Sequence, residues 1–198
     1  LTALVHESPV GLDGIGGLFL ALNLLNRANI DNSLHLAELV LDRISPKDIV
    51  EIQDPDILQG LSGFIGPLLS FDTPKALALA ICCGERLLEL QLSSGGWQSS
   101  KWICSQELPL TGFSHGASGI AAALARLAQV SNDHKFSAAA LKAVDFERSV
   151  FCSASQNWPD FRKVSQPNVF KSSWCHGAPG VLLSRLIMLH AGVSNSIV

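Results

Sequence analysis

A chain of 198 residues that is 47% hydrophobic and 16% charged is too apolar to stay disordered and long enough to bury one substantial core. Its formal net charge of −3, with Arg126, Lys135, Lys142 and Arg148 scattered singly, argues against an electrostatic surface for nucleic acid. The longest apolar stretches are broken by Asp13, Arg126 or Arg185 before reaching the roughly eighteen residues that span a bilayer, so no membrane span is expected.

No charged start followed by an apolar segment and a cleavage site is visible. Five cysteines, an odd number without paired spacing, point to reduced thiols and a cytoplasmic compartment. Starting at Leu1 and stopping at Val198 without a polar tail, residues 1–198 read as a single partial domain, truncated at its C-terminus and at its N-terminus as well.

Leu1 to Leu12, with Pro9 and Gly11, leads into a first helix from about Gly14 to Ala28. Asn29 to Ser33 forms a turn, with Ser33 as the expected cap of a second helix over about Leu34 to Ile44. A loop holding Pro46 and Pro55 reaches Asp56-Ile-Leu-Gln-Gly-Leu-Ser-Gly63, and an apolar stretch continues to Phe71. Thr73-Pro74 starts another helix to about Leu92, with proline in the first turn as helices prefer. Two long irregular connections follow, from Ser93 to Gly112 and from Phe151 to Trp174. Loops of that length inside a compact domain are usually functional or disordered.

Each connection ends in a glycine-rich turn. Gly14-Ile-Gly-Gly17, Gly63-Phe-Ile-Gly66, Gly116-Ala-Ser-Gly119 and Gly177-Ala-Pro-Gly180 each open an apolar run, at steps of 49, 53 and 61 residues. Periods in that range mark repeated supersecondary units that bury their apolar faces on one another. Each unit has room for two helices, so helical hairpins are expected, with inner helices lining an interior and outer helices covering them. Glycine in a helix costs roughly 1 kcal/mol against alanine. Close packing between neighbouring inner helices is the expected compensation.

The chemistry concentrates in Lys171-Ser-Ser-Trp-Cys-His-Gly-Ala-Pro-Gly180. A thiol just before a helix N-terminus faces exposed N–H groups, a setting that favours thiolate, the form that binds metal or attacks carbon. His115 and Asp56 sit in comparable turns, with a capping or core histidine as the lesser alternative for His115 and an ordinary helix cap as the alternative for Asp56. Cys82 and Cys83 lie in an apolar helix and read as core. Cys104 and Cys152 flank the long loops with a minor claim to a ligand role, and His6, His35, His134 and His190 are isolated. Lys171 could hold substrate or assist a thiolate. Trp97, Trp102, Trp158 and Trp174 could line the opening or simply pack.

Trp174-Cys-His-Gly-Ala-Pro-Gly180, Gly112-Phe-Ser-His-Gly-Ala-Ser-Gly-Ile120 and Asp56-Ile-Leu-Gln-Gly-Leu-Ser-Gly63 resemble three motifs of the lanthionine synthetase C-like cyclases. The wording is most similar to the C-terminal cyclase domain of class II lanthipeptide synthetases. The resemblance implies an all-α fold, an α/α toroid seen here as an incomplete ring, with zinc at the inner rim. It implies Michael-type addition of a peptide cysteine to dehydroalanine or dehydrobutyrine in a dehydrated precursor peptide, with a fused N-terminal dehydratase domain as a further expectation. Carried over residue by residue, Cys175 matches the first zinc cysteine, His115 the histidine that moves a proton and Asp56 the acid beside it. His176 is a weaker ligand assignment, and the remaining ligands are expected beyond the C-terminus. A helical-toroid module that binds a peptide or thiol compound without chemistry stands as the second reading. A toroid glycoside hydrolase ranks last, because only Asp56 among the acids has a motif context.

Overall fold

The computed structural model describes residues 9–99, 108–162 and 169–193. Among these lie eight helices: α1 (Ile15–Arg27), α2 (Ser33–Leu41), α3 (Pro46–Val50), α4 (Leu61–Leu69), α5 (Pro74–Leu90), α6 (Ala117–Ser131), α7 (His134–Ser149) and α8 (Ala178–His190). Between them, the described residues form isolated bridges that include Gln91 with Trp97, Cys152 with Asn157 and Pro159 with Phe170.

Local chemistry sets most helix starts. Thr73 Oγ1 accepts the Ala76 N–H at 3.2 Å with Pro74 in the first turn, as the sequence predicts. The Asp48 carboxylate accepts the Ser45 N–H at 2.7 Å and opens α3, a single short turn that the two prolines of this loop concealed. Asn132, in the left-handed region with φ 55°, and Asp133, whose side chain accepts the Lys135 N–H at 3.1 Å, separate α6 from α7. Ser33 is the first residue of α2 and not its cap; Asn32 takes that place, and the Ser33 hydroxyl turns back to the Ile30 carbonyl at 2.8 Å.

Helices α1, α4, α6 and α8 pack in succession, each on the next, while α2 covers α1, α5 covers α4 and α7 covers α6. That is the expected alternation of an inner and an outer layer. The two end helices, α1 and α8, do not form a packed pair, so the inner layer is an open arc. Helix α6 lies between α4 and α8 with α7 at its back, and Ala117, Ala121, Ala122, Ala123 and Ala125 are all buried. Small side chains let three neighbours approach one helix. Phe19 of α1 packs tilted against Phe64 of α4 and edge-on to Phe71, with ring centroids 5.7 and 5.4 Å apart, closing the core at the other end of the arc.

Each inner helix is capped by a glycine: Gly14, Gly60, Gly116 and Gly177. The second repeat is therefore Gly60-Leu-Ser-Gly63, not Gly63-Phe-Ile-Gly66, and the steps are 46, 56 and 61 residues. Sterics show why. A Cβ on Gly63 would lie 1.7 Å from the Ile57 carbonyl oxygen, on Gly119 1.9 Å from that of Phe113, and on Gly180 2.0 Å from that of Trp174. On Gly66 it would meet nothing within 4 Å. The glycines thus make room mainly for the loop entering their own helix, rather than for a neighbouring inner helix.

Candidate functional site

Main-chain hydrogen bonds lace the four entering loops together along the rim. Leu12 N–H donates to the Ile57 carbonyl at 3.1 Å and Asp13 N–H to that of Leu58 at 2.7 Å. Ile57 N–H donates to the Ser114 carbonyl at 3.1 Å, and the N–H groups of Phe113 and Ser114 both reach the Cys175 carbonyl, at 3.1 and 3.3 Å. This lacing brings Asp56, His115, Cys175 and His176, from three successive repeats, to one end of the arc.

His115 Nδ1 lies 2.5 Å from Asp56 Oδ2, and both side chains are largely buried. The carboxylate accepts the Nδ1–H, which selects the tautomer whose Nε2 carries the lone pair. The other carboxylate oxygen of Asp56 accepts the Gln59 N–H at 2.7 Å, so the acid is fixed to its own loop as it orients the imidazole. Asp56 therefore performs the local turn role and the contact with His115 together; the cap of α4 is Gly60.

His176 occupies the place in its repeat that His115 holds in the preceding one, directly before the cap glycine. Their rings stack with centroids 6.0 Å apart. His176 is buried, and burial first, then the positive charge of Arg162, pushes its pKa down to about 4, against the attraction of Asp160. The group beside His115 is consequently a neutral imidazole near pH 7.

Cys175 is half-buried, and its Sγ lies 3.1 Å from the Ser173 hydroxyl. Trp174 is exposed at the rim, its ring edge-on to Phe113 at 6.2 Å. The Lys171 ammonium lies 3.4 Å from Asp160 Oδ2, and Arg162 holds both oxygens of that carboxylate at 3.0 and 2.8 Å. Burial alone would raise Asp160, but the hydrogen bonds from Arg162 and its charge outweigh this and hold the carboxyl well below the usual carboxylate range. Asn157 fixes the start of α8: its Oδ1 accepts the Ala178 N–H at 2.8 Å and its Nδ2 donates to the Lys171 carbonyl at 3.1 Å.

The remaining candidates lie elsewhere. Cys83 is buried in α5 beside half-buried Cys82, and burial raises both thiols, as fits core residues. Trp97 is buried, with its Nε1–H on the Leu87 carbonyl at 2.7 Å, and Trp158 donates to the Glu147 carbonyl at 2.8 Å. His35, His134 and His190 are exposed. Cys152 belongs to the tight turn that pairs it with Asn157. His6, Trp102 and Cys104 lie outside the described residues.

Sequence reading missed Asp160, Arg162 and Asn157, which lie in the second long connection, and Glu147 of α7. Glu147 is fully buried and receives Arg185 of α8 at 2.8 Å. An acid at an otherwise apolar position of an outer helix was the available signal.

Among the described residues no three His, Cys, Asp or Glu side chains gather as metal ligands. One thiol at the rim does not make a site of the tetrahedral kind zinc requires, so these residues alone do not fit the metal.

The sequence matches the family model described as lanthionine synthetase C-like protein over residues 2–196. No protein of curated function matches it by sequence. Among the solved structures similar to it is one titled nisin cyclase, with a TM-score of 0.66 at 18% identity, covering 96% of this chain and 55% of that one. At that identity the likeness is one of fold, with the inner and outer helices arranged as in the α/α toroid. The chain spans about half the length of the solved relative.

Proposed function

Because this chain belongs to the lanthionine synthetase C-like family, we propose that it serves as a peptide cyclase, adding a cysteine thiol to dehydroalanine or dehydrobutyrine in a dehydrated lanthipeptide precursor. The observation that carries this reading is the His115–Asp56 pair, 2.5 Å apart across two neighbouring loops, with the His115 loop laced in turn to that of Cys175. In the reaction the thiol loses its proton, sulfur bonds to the β-carbon of the alkene, and the π electrons move to the α-carbon and its carbonyl as an enolate. That enolate takes a proton on carbon. His115 Nε2, carrying the lone pair while Nδ1–H is held by Asp56, is suited to take the proton that the thiol loses and then to give it to the α-carbon. Net, one S–H and one C=C become one C–S and one C–H, with no redox partner needed.

The zinc dependence expected of the family would draw on Cys175 as one ligand, with the other donors coming from outside the described residues; His176, buried and stacked on His115, is the weaker ligand assignment. A bacteriocin precursor as substrate, a dehydratase domain fused as in class II synthetases and a cytoplasmic location complete the proposal. Among the described residues no helix is long and apolar enough to cross a membrane. The second reading is a helical-toroid module that binds a peptide or thiol compound without cyclising it.

The test takes the protein in the longest form its gene encodes, supplied with a synthetic peptide holding one cysteine and one dehydroalanine. Cyclisation leaves the mass unchanged, so it is read as lost thiol alkylation. Cyclisation that falls on His115→Asn, with zinc that falls on Cys175→Ala, supports the reading. Binding of the peptide without thioether formation by the zinc-loaded wild type would move the assignment to the second reading.

A further inference from the structure

We infer that Glu147 is a positioning residue for the rim, clamping the His115 loop to the helix that follows the Cys175 loop; its kinetic meaning rests on the cyclase reading above. Glu147 belongs to α7, an outer helix, and is completely buried. Its carboxylate passes into the inner layer and holds three separate elements. Oε1 accepts the Gly112 N–H at 3.2 Å and the Ser118 hydroxyl at 2.6 Å. Oε2 lies 2.7 Å from the same hydroxyl and accepts Arg185 Nη2 at 2.8 Å.

The positions of these partners carry the inference. Gly112 lies three residues before His115 and Ser118 three residues after it, so the carboxylate brackets the imidazole's backbone from both sides. Arg185 lies on α8, whose N-terminal loop contains Cys175 and His176. Ser184 beside it donates to the Ser118 carbonyl at 2.6 Å, tying α8 to α6 at the same level. The two loops also lie close together at Gly112. Its φ is +91°, and a Cβ there would lie 2.8 Å from the Cys175 carbonyl oxygen and 3.1 Å from His176 Cα. The Glu147 carboxylate therefore secures the joint between the acid–base pair and the thiol loop.

Stability alone does not account for this arrangement. A buried ion pair is often no better than well-packed apolar residues in its place. A pair built for strength would be a two-point bridge between carboxylate and guanidinium. Here Arg185 gives Glu147 one nitrogen, and its Nη1 is buried without a hydrogen-bond partner among the described residues. The second carboxylate oxygen goes to Gly112 and Ser118, the two residues that flank His115.

The test reads the His115 imidazole directly. In the full chain labelled with 15N-histidine, the Nδ1–H held on Asp56 gives a downfield proton resonance, assigned by its loss in His115→Gln. Two variants are compared: Glu147→Gln combined with Arg185→Met, which leaves no unpaired buried charge, and Ser118→Ala, which removes one anchor while Arg185 keeps its partner. Both are expected to shift or broaden the resonance, the double variant more, while helical content is kept. With precursor peptide, the double variant is expected to lower kcat on the order of 100-fold with KM little changed, the scale of a small misplacement of a reacting group. Restoring Glu147 alone, in Arg185→Met, is expected to recover most of the resonance. An unmoved resonance in Ser118→Ala and in the folded double variant overturns the inference. Failure of the wild type to cyclise would instead count against the cyclase reading, since the resonance needs no substrate.

Discussion

Two glycines of α4, three residues apart, make different predictions under alanine substitution. A Cβ on Gly63 would stand 1.7 Å from the Ile57 carbonyl oxygen and 3.0 Å from Gly11 Cα, contacts that no side-chain rotation relieves. The strand of loop at Ile57 must move, and it is held by the Leu12 N–H on its carbonyl and by its own N–H on the Ser114 carbonyl, both at 3.1 Å. Losing two such bonds at about 1 kcal/mol each, with added packing strain, places Gly63→Ala at roughly 2–4 kcal/mol destabilising. On Gly66 the Cβ meets nothing within 4 Å beyond its chain neighbours, and the helix propensity alanine gains, about 0.5–1 kcal/mol, is offset by its crowding against the Pro67 ring that follows. For a chain of this size 1 kcal/mol corresponds to about 2–4 °C in Tm. Thermal unfolding by circular dichroism should then show Gly63→Ala lowered by about 10 °C and Gly66→Ala within about 2 °C of wild type. Equal losses for the two variants would refute the repeat frame based on Gly60 and the steric account of its glycines.

Asp56→Asn leaves an amide that no longer favours the Nδ1–H tautomer of His115. We expect kcat for thioether formation to fall roughly 10- to 1000-fold with KM nearly constant, checked by steady-state kinetics on the precursor peptide. Asp160 has a depressed carboxyl pKa in the fold, so its stabilisation is present above its ordinary value of 3.8 and is lost as pH falls below it. Urea titrations should accordingly show wild type losing stability more steeply than Asp160→Asn between about pH 5 and pH 3. Parallel acid limbs would show that the Arg162 pairing is not formed in solution.

The hairpin layout was legible because apolar runs and turn residues recur at each repeat, and His115, Cys175 and His176 were legible because they adjoin glycines that cannot be moved. The second repeat was misread by three residues. Gly60-Leu-Ser-Gly63 and Gly63-Phe-Ile-Gly66 satisfy the same spacing, and only the path of the Ile57 carbonyl separates them. In the corrected frame Asp56 sits four residues before its cap glycine, where the other repeats carry Val10, Gly112 and Ser173. Glu147 escaped notice for a different reason. Its partners Gly112 and Arg185 lie 35 and 38 residues away, on opposite sides in sequence, and no local pattern links them.

The lacing between the loops of the rim runs mainly through peptide groups, which has a consequence for how such a site can change over time. The position directly before the cap glycine holds Asp13, Gln59, His115 and His176 in the four repeats. Each is presented by a backbone whose bonds to its neighbours do not depend on which side chain it carries. Substitution there alters what the rim can do while leaving its shape in place. Selection can thus exchange reactive groups one repeat at a time on a scaffold that already knows where to put them.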